Sequence, residues 1–368
     1  MKLMVDARTF GTAPSGVGIY GYRFVKAFVT RTQWEVVLVS DVAESEEINH
    51  LIDKKIPCLI YGANVKKNTG VIGYFRFVQK MIDKERPDVF WEINNVIPIK
   101  LHNHYGKIAV TIHDLFPLSM PECFNRIYPY YYKWGIRNVL ASADILIYVS
   151  GTVMDEMEKI YPASQKKLRY ISYNIGCENI EISDASRTVE REGYLLYIGN
   201  LEKRKGTDIL LKAYKKYRTG GGDLGLHIAG KIREEEINKL LELTKKEEPE
   251  ISYLGYISEE QKAGELAGCR VFVFPSRAEG FGIPVIEALA YDKPVITSDL
   301  PIFEELFKGA INTFKLDRDE TGEAAADGLA EAMESVRTSD QKVIRDIVYR
   351  YSEDSLAPGM INLFENCR

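Results

Sequence analysis

The most constraining feature of this 368-residue sequence is a series of short apolar runs that alternate with longer segments of helical spacing. The runs lack the polar–apolar alternation of half-exposed strands, which is typical of strands buried on both faces of a parallel sheet. The segments between them are long enough for the helical crossovers that parallel strands require. In the first half of the chain, the predicted strands are 3–6, 36–39, 89–91, 108–112, 145–149 and 168–172.

A second series of apolar runs follows a polar segment, 177–192, that has no clear periodicity. We therefore predict an α/β protein with two doubly wound, Rossmann-like parallel-sheet domains facing a cleft, residues 1–180 and 193–352, joined by a linker at 181–192. Residues 353–368 predict a C-terminal helix, which either packs on the second domain or crosses back to the first. The predicted strands of the second domain are 194–198, 226–229, 252–254, 271–274, 295–297 and 311–314.

The composition argues against several classes of protein. A formal net charge of −5 does not suit strong nonspecific binding to nucleic acid. Five widely spaced cysteines without a CxxC pair disfavour a disulfide framework or a structural zinc site, and a reducing cytoplasm fits best. Asp6 and Arg8 stand where a signal peptide would have its apolar core, and no window of about 18 apolar residues predicts a membrane span.

The segment E-G-F-G-I-P-V-I-E at 279–287 is the strongest candidate for a binding site. It predicts a glycine turn after a buried strand, followed by a helix that begins at a proline. Gly280 and Gly282 allow a ligand to approach the backbone, and the N–H groups at the start of the helix suit phosphate oxygens. Glu279 and Glu287 can accept hydrogen bonds from sugar hydroxyls. We predict a nucleotide-sugar site; the alternative is a capped surface turn with two solvated glutamates.

A basic turn, GNLEKRKG at 199–206, lies between a predicted strand and a predicted helix. Lys203, Arg204 and Lys205 could hold a diphosphate there, because glycosyl transfer from a nucleotide requires compensation of the charge on the leaving group. A solvated basic turn is the alternative. The position of this turn in the same predicted sheet as Glu279 favours the phosphate interpretation.

Gly16 and Gly18 in the segment SGVGIY would let a ligand approach the N-terminus of the helix that follows. The letters GVGIYG also fit the dinucleotide-binding pattern, although they follow a loop rather than a tight turn. Asp41 closes the second predicted strand about twenty residues further on, as that pattern requires. A Rossmann oxidoreductase therefore stays open as a minor alternative.

His113 and Asp114 follow the predicted strand 108–112, at the carboxyl end where open α/β sheets bind ligands. A lone histidine is often structural, and that is the alternative for His113. The other histidines have no evident partners and are assigned to structure or surface: His50, His102, His104 and His227.

Two further patterns are weaker. Asp317 and Asp319 form a D-x-D pattern that could hold a divalent metal, but their charged run precedes a predicted helix and is typical of a solvated loop. An aromatic cluster over 124–134 has basic residues interleaved, so it could be an acceptor or membrane-surface platform. A helix that packs against its own domain is the alternative for this cluster.

Taken together, these segments resemble the family-4 retaining glycosyltransferases, which have the GT-B fold. The likeness covers nearly the full length and is strongest in PSRAEGFGIPVIEALAYDKPVITSD (275–299), which is similar to the E-x7-E region of the family. Supporting matches are YIGNLEKRKG (197–206), LGYIS (254–258), TIHDLFPLSMPECF (111–124) and the segments VDARTF and SGVGIY (5–20).

The resemblance makes the second domain the donor side. It implies that Lys205, aided by Arg204, neutralises the donor diphosphate. Glu287 would bind the ribose and Glu279 the hydroxyls of the donor sugar. Further donor contacts would come from Gly280, Phe281, Gly282, Ile283 and Asn200, with Tyr256 and Ile257 near the nucleobase. Asn200 stands where some members have an arginine, which leaves more of the phosphate binding to the two basic residues.

The first domain would be the acceptor side. The resemblance implies that His113 lines the sugar pocket, so Glu279, His113 and Lys205 form the predicted catalytic set. Gly16 and Gly18 would close over the donor phosphates and the acceptor, and Asp114 is assigned to the acceptor. Ile19 replaces an arginine often found in this loop, which puts an acceptor-phosphate contact there in doubt.

The implied activity is retaining transfer of a hexose, with mannose a candidate, from a GDP- or UDP-linked donor to a glycan hydroxyl, without a cofactor or an essential metal. The segment HDLFPLSMPE resembles members that build bacterial surface polysaccharides, so a lipid-linked acceptor and peripheral contact with the inner face of the membrane stay open. A GT-B nucleotide-sugar epimerase is one alternative, although no acid/base set beyond His113 is evident. A sugar-binding protein without enzymatic activity is the other.

Overall fold

The computed structural model describes residues 1–11, 16–42, 45–63, 65, 70–176, 193–316 and 321–367. The predicted linker at 181–192 and the pair Asp317 and Asp319 lie outside these residues. The chain divides into two compact units, the first comprising Met1–Ile175 with Glu353–Arg368 and the second Gly176–Ser352. The C-terminal segment is thus part of the first unit.

The first unit is built on a parallel sheet of seven described strands in the order β3-β2-β1-β4-β5-β6-β7. The strands are β1 (Lys2–Asp6), β2 (Glu35–Ser40), β3 (Cys58–Ile60), β4 (Val89–Glu92), β5 (Lys107–Ile112), β6 (Ile145–Tyr148) and β7 (Leu168–Ile171). The helices before the second unit are α1 (Gly16–Arg31), α2 (Glu46–Asp53), α3 (Val71–Glu85), α4 (Phe116–Ser119), α5 (Tyr128–Ser142) and α6 (Gly151–Ile160).

The strand order of the first sheet reverses between β1 and β4, which pair in parallel from Leu3 opposite Val89. β4 is buried along its whole length and β1 from its second residue onward, as the continuous apolar runs predict. Both strands end in a carboxylate, Asp6 on β1 and Glu92 on β4. Two acidic side chains therefore meet at the point where open α/β sheets bind ligands.

The second unit has a parallel sheet of six described strands in the order β10-β9-β8-β11-β12-β13. Its strands are β8 (Tyr194–Ile198), β9 (Gly225–Ala229), β10 (Ile251–Gly255), β11 (Val271–Phe274), β12 (Val295–Ser298) and β13 (Asn312–Phe314). Its helices are α7 (Thr207–Thr219), α8 (Glu235–Glu247), α9 (Glu259–Gly268), α10 (Ile283–Ala290), α11 (Pro301–Phe307), α12 (Glu323–Glu334) and α13 (Gln341–Arg350). The order reverses between β8 and β11, so the segments that follow these two strands lie at the switch point.

The last helix, α14 (Glu353–Asn366), packs against the first unit. Its Phe364 ring lies 5.9 Å from the ring of Phe28 and 5.8 Å from that of Trp91. At the start of the helix, Glu353 Oε1 accepts a hydrogen bond from Arg31 Nε at 2.9 Å. Of the two arrangements open from the sequence, the structure therefore has the helix that crosses back.

The predicted strands all form, and their ends differ from the predicted ones by no more than about one residue. One strand, β3, is missing from the prediction; it has only three residues, none of which is buried. Among the described residues, no helix is long and apolar enough to cross a lipid bilayer.

Candidate active site

The segments that follow β8 and β11 are joined by hydrogen bonds at the switch point of the second sheet. The backbone N–H of Arg277 donates to the carbonyl of Arg204 at 2.8 Å. The Arg204 guanidinium donates to the carbonyl of Ala278 at 3.2 Å and forms an ion pair with Glu202. Hydrogen bonds thus hold together the basic turn and the glutamate segment, which are 74 residues apart in the chain.

Lys205 of the basic turn and Glu279 of the glutamate segment form an ion pair. The Ser276 hydroxyl donates to the same Glu279 oxygen at 2.8 Å, which fixes the orientation of the carboxylate. Only 8% of the Glu279 side chain and 16% of the Lys205 side chain are exposed, so both charges lie in a partly desolvated place. An ammonium held this way can stabilise an anionic oxygen more strongly than it would in water.

Arg277 makes further hydrogen bonds that hold the basic turn in place. Its guanidinium makes two parallel hydrogen bonds to Asp208, at 2.6 and 2.8 Å, and also donates to the carbonyl of Lys203. Such bidentate pairs fix geometry as well as charge. No sequence signal indicated this contact, because Arg277 and Asp208 are ordinary surface residue types that only the fold brings together.

Gly206 lets the two segments approach each other. Its φ of +70° lies in the left-handed region, and a Cβ there would lie 1.9 Å from the carbonyl oxygen of Pro275. Glycine alone meets both demands, since other residues strain at this φ and any side chain would displace the proline carbonyl.

We expect Gly206→Ala to lower both stability and transferase activity, because the clash with Pro275 must move the turn that bears Lys205. The matched control is Gly221→Ala, since Gly221 has a φ of +98° but open space where a Cβ would lie. In the control, backbone strain should lower the free energy of unfolding by about 1 kcal/mol and leave activity unchanged. In Gly206→Ala the free energy of unfolding should fall by about 2 kcal/mol more. Calorimetric unfolding and initial rates measure the two effects; equal losses in both variants would contradict the proposed clash.

Glu287 lies in α10, about one turn from Gly282, whose φ is +93° at the N-terminal cap. The Glu287 side chain is 8% exposed and accepts a hydrogen bond from Lys262 Nζ at 2.9 Å. Burial disfavours the charged ammonium of Lys262, but the neighbouring Glu287 and Glu259 carboxylates outweigh it and raise the pKa of Lys262. Lys262 is a further residue that the sequence analysis missed.

The remaining predicted donor residues belong to segments that follow strands of the same sheet. Tyr256, 61% exposed after β10, has the Lys231 ammonium 4.4 Å from its ring centroid. The Phe281 ring is buried and packs edge-on against Tyr351 at 5.2 Å, so Phe281 can contribute only its backbone to a ligand. Asn200, Gly280, Ile283 and Ile257 are partly buried at the same edge of the sheet.

In the first unit, His113 is buried at the end of β5. Its Nε2–H donates to the carbonyl of Ile93 at 2.8 Å, and its backbone N–H donates to the side chain of Asn95 at 2.6 Å. Burial lowers the pKa of His113 to about 4. The imidazole is therefore neutral at physiological pH, with Nδ1 as an acceptor.

Asp114 and the two N-terminal glycines also belong to the first unit. The Asp114 carbonyl accepts from the Tyr132 hydroxyl at 2.6 Å, and its carboxylate accepts from the N–H of Phe116 at 3.3 Å. Gly16 and Gly18 lie in the first turn of α1. They are therefore part of the helix itself, at the N-terminus where the sequence placed them.

A buried charge cluster, Asp6–Arg8–Glu92–Tyr74, occupies the switch point of the first sheet. Arg8 Nε lies 3.0 Å from Asp6 Oδ2, and Arg8 Nη2 lies 3.2 Å from Glu92 Oε1. The Tyr74 hydroxyl donates to Asp6 Oδ1 at 2.7 Å. Burial and the charge of Asp6 raise the pKa of Glu92 well above its usual value.

Two family models match the chain and between them cover most of it. The model described as glycosyl transferases group 1 matches residues 178–345, and the model described as glycosyltransferase family 4 matches residues 14–173. The chain belongs to the group 1 glycosyltransferases, as its resemblance implied. It is therefore a transferase, and the enzyme class predicted from the sequence is confirmed.

Relatives with curated names include several O-antigen enzymes. The O-antigen chain mannosyltransferase RfbU of Salmonella typhimurium is 22% identical over 93% of this chain and 95% of its own. The O-antigen chain mannosyltransferase B of Escherichia coli is 28% identical over 56% of both chains. A Campylobacter jejuni enzyme named N-acetylgalactosamine-N,N'-diacetylbacillosaminyl-diphospho-undecaprenol 4-alpha-N-acetylgalactosaminyltransferase is 26% identical over 57% of this chain and 56% of its own.

Solved structures share the fold at low sequence identity. Anabaena Alr3699/HepE, crystallised with UDP and glucose, is 15% identical over 99% of both chains with a TM-score of 0.70. The sucrose-phosphate synthase of Thermosynechococcus elongatus is 16% identical over 99% of this chain and 98% of its own, with a TM-score of 0.73. With the two Rossmann-like sheets described above, these matches confirm the predicted GT-B fold class.

Proposed function

We propose that this enzyme transfers a hexose, with mannose the first candidate, from a nucleoside-diphosphate donor to a glycan hydroxyl in the synthesis of a bacterial surface polysaccharide. The observation that carries the proposal is the Lys205–Glu279 pair, which lies beside Arg204 at the switch point of the second sheet. A cation for a diphosphate and an acceptor for sugar hydroxyls are thereby held next to each other. The names of the O-antigen relatives support the polysaccharide and the mannose.

The donor would bind along the carboxyl edge of the second sheet. Lys205 and Arg204 would neutralise the diphosphate, together with the N–H groups at the start of α10. Glu279 would accept hydrogen bonds from the sugar hydroxyls and Glu287 from the ribose. The exposed ring of Tyr256 would stack on the base.

Transfer with retention would follow a front-face course in this proposal. The bond from the anomeric carbon to the diphosphate oxygen breaks as the acceptor hydroxyl adds from the same face, and the departing diphosphate takes up the hydroxyl proton. Lys205 and Arg204 stabilise the charge that grows on the leaving group, so the chain itself supplies the cations and no metal is required. In the first unit, His113 is assigned to the donor sugar and Asp114 to the acceptor.

A thermal-shift screen tests the donor. The protein is heated with UDP, GDP, ADP, TDP and CMP and with their sugars, each with and without EDTA. Stabilisation by one nucleoside diphosphate that EDTA leaves unchanged supports the proposal and names the base. Incubation with that donor alone distinguishes a transferase from an epimerase, because an epimerase would form a new nucleotide sugar. NMR of the transfer product shows whether the anomeric configuration is retained.

The acceptor is proposed to be lipid-linked, and the exposed face of α5 is proposed to contact an anionic membrane surface. The helix packs on its own unit through its buried face, which includes Tyr132 and Ile136. Its other side exposes Tyr130, 77% exposed, and Trp134, 42% exposed, and Ile127, which directly precedes the helix, is also 77% exposed. Close to them in the sequence are the basic residues Arg126, Lys133 and Arg137, as on helices that lie in a membrane interface. The diphospho-undecaprenol acceptor in the name of the Campylobacter relative supports a lipid-linked substrate.

Replacing Arg126, Lys133 and Arg137 together by glutamine is expected to weaken binding to vesicles that contain phosphatidylglycerol by about a hundredfold. Each basic residue near an anionic surface contributes about 1 kcal/mol. Co-sedimentation with vesicles measures the loss, and phosphatidylcholine vesicles should show little binding of either protein. The matched control replaces three exposed lysines of the second unit, Lys239, Lys246 and Lys308. If the control loses as much affinity as the α5 variant, this face is not the contact.

A further inference from the structure

A buried ion pair joins α9 to α10 beside the proposed ribose position. Lys262 is the fourth residue of α9, and its Nζ lies 2.9 Å from Glu287 Oε1. The side chains are 14% and 8% exposed. The second carboxylate at this ammonium, Glu259 Oε2 at 2.7 Å, belongs to a side chain that is 78% exposed. Lys262 therefore points inward to a site residue and reaches solvent only at one side.

The start of α9 fixes the position of Lys262. Ser258 and Gln261 form a capping box, in which the Ser258 side chain accepts from the N–H of Gln261 and the Gln261 side chain accepts from the N–H of Ser258. A lysine so near the N-terminus of a helix opposes the helix dipole, and this offsets the support from its i, i+3 pair with the exposed Glu259. The contact with Glu287 is what turns the ammonium inward.

The ammonium has two effects on Glu287. It offsets the cost of burying a carboxylate that is almost wholly removed from solvent. It also holds one conformer of a long side chain that would otherwise rotate. A carboxylate offers about four acceptor positions, so an ammonium on one oxygen is compatible with hydrogen bonds from ribose hydroxyls.

We propose that Lys262 is a positioning residue for the donor: it holds the Glu287 carboxylate in the conformer that accepts hydrogen bonds from the ribose hydroxyls. The inference rests on the proposed function, in which Glu287 binds the ribose. Lys262 acts through Glu287 and does not touch the reacting atoms. Its loss should therefore weaken donor binding and reduce the discrimination between ribose and deoxyribose, with little effect on kcat.

The test is calorimetric titration of GDP and UDP, each beside its 2′-deoxy and 3′-deoxy form, into the wild type and Lys262→Met, which keeps the apolar stem. For the nucleotide that binds, the variant should lose about tenfold in affinity, the size of one weakened charge-assisted hydrogen bond. It should bind the ribo and deoxy forms with nearly equal affinity, whereas the wild type prefers the ribo form. Lys262→Arg should restore part of this preference.

Two controls separate this role from a structural one. Glu259→Gln removes the exposed partner of the same ammonium and should change affinity less than about twofold, because Glu287 keeps its contact. Glu287→Gln should abolish the ribose preference in the same way as Lys262→Met. Suppose that Lys262→Met weakens the binding of ribo and deoxy nucleotides equally, and that only Glu287→Gln removes the preference for the ribo form. This inference is then overturned while the proposed function stands. If the wild type binds none of the nucleotides, or Glu287→Gln leaves the preference intact, the proposed ribose site fails as well.

Discussion

Replacing Lys205 by alanine is expected to lower kcat/KM for glycosyl transfer by about a thousandfold. The ammonium lies in a partly desolvated place beside Glu279, where it would meet the charge that develops on the departing diphosphate. Losing one preorganised charge-stabilising donor at such a position costs a factor of about 10² to 10³. The loss should fall mainly on kcat, because the interaction strengthens as the bond to the diphosphate breaks.

The measurement is the initial rate of nucleoside-diphosphate release from the donor that stabilises the protein, with acceptor present. Lys203→Ala is the matched control. The sequence placed Lys203 among the candidate phosphate cations, but the residue is exposed in the same turn and gives only its backbone groups to the described contacts with Arg277, Glu234 and Gly206. This control should stay within about threefold of the wild type.

Glu279→Ala adds a second arm to this experiment. Because Lys205 and Glu279 are in direct contact, the losses of transfer rate in the two single variants should not add. The double variant should be only slightly slower than the slower of the two single variants. A double variant that transfers sugar as fast as the wild type would exclude both residues from the active site. A fully additive loss would show that the pair does not act as a unit.

Replacing Arg8 by methionine is expected to lower the free energy of unfolding of the first unit by about 3–5 kcal/mol. The guanidinium lies between Asp6 and Glu92, whose side chains are 0% and 1% exposed. It also lies 4.5 Å from the centroid of the Phe75 ring. Without it, two carboxyl groups share a buried place with no cation, and that cost is far larger than the loss of a surface ion pair.

Glu92→Gln is the control for this prediction. The raised pKa of Glu92 means that the folded state favours its neutral carboxyl, which glutamine resembles in size and polarity. The control should therefore cost no more than about 1 kcal/mol. If Glu92→Gln destabilises as much as Arg8→Met, the folded state holds Glu92 as an anion instead.

Tryptophan fluorescence during urea unfolding is a selective probe for both variants. The chain has three tryptophans, Trp34, Trp91 and Trp134, and all of them lie in the first unit. A change in the urea midpoint seen by fluorescence therefore reports on the unit that contains Arg8. A shift below about 1 kcal/mol for Arg8→Met would contradict the predicted role of the cluster.

Much of the fold follows from the sequence because its strands are buried on both faces. A run such as VFVF at 271–274 has no solvent side to interrupt it, so the strand is evident without any alignment. The proximity of Lys205 to Glu279 was predictable in outline, since both follow strands of one parallel sheet and so lie at the same edge. Their direct ion pair was not, because side-chain contacts depend on the register of the turns.

The contacts that position the site residues could not be predicted from the sequence, for a physical reason. Arg277 and Asp208 pair across 69 residues, and neither type is unusual on a surface. Lys262 follows Glu259 at a spacing of three residues, which is typical of a solvated helical pair. Only the placement of α9 beside α10 turns that lysine toward Glu287.

The return of α14 to the first unit has a consequence for how the chain folds as it is synthesised. Phe364 lies against Phe28 and Trp91, so part of the core of the first unit comes from residues that are synthesised only after the whole second unit. A nascent chain that extends to about residue 180 would hold the seven-stranded sheet but leave those aromatic surfaces open to water, a state prone to aggregation. The first unit is therefore completed only after the second unit has been synthesised, and an isolated fragment ending near residue 175 should need α14 supplied in trans to become stable.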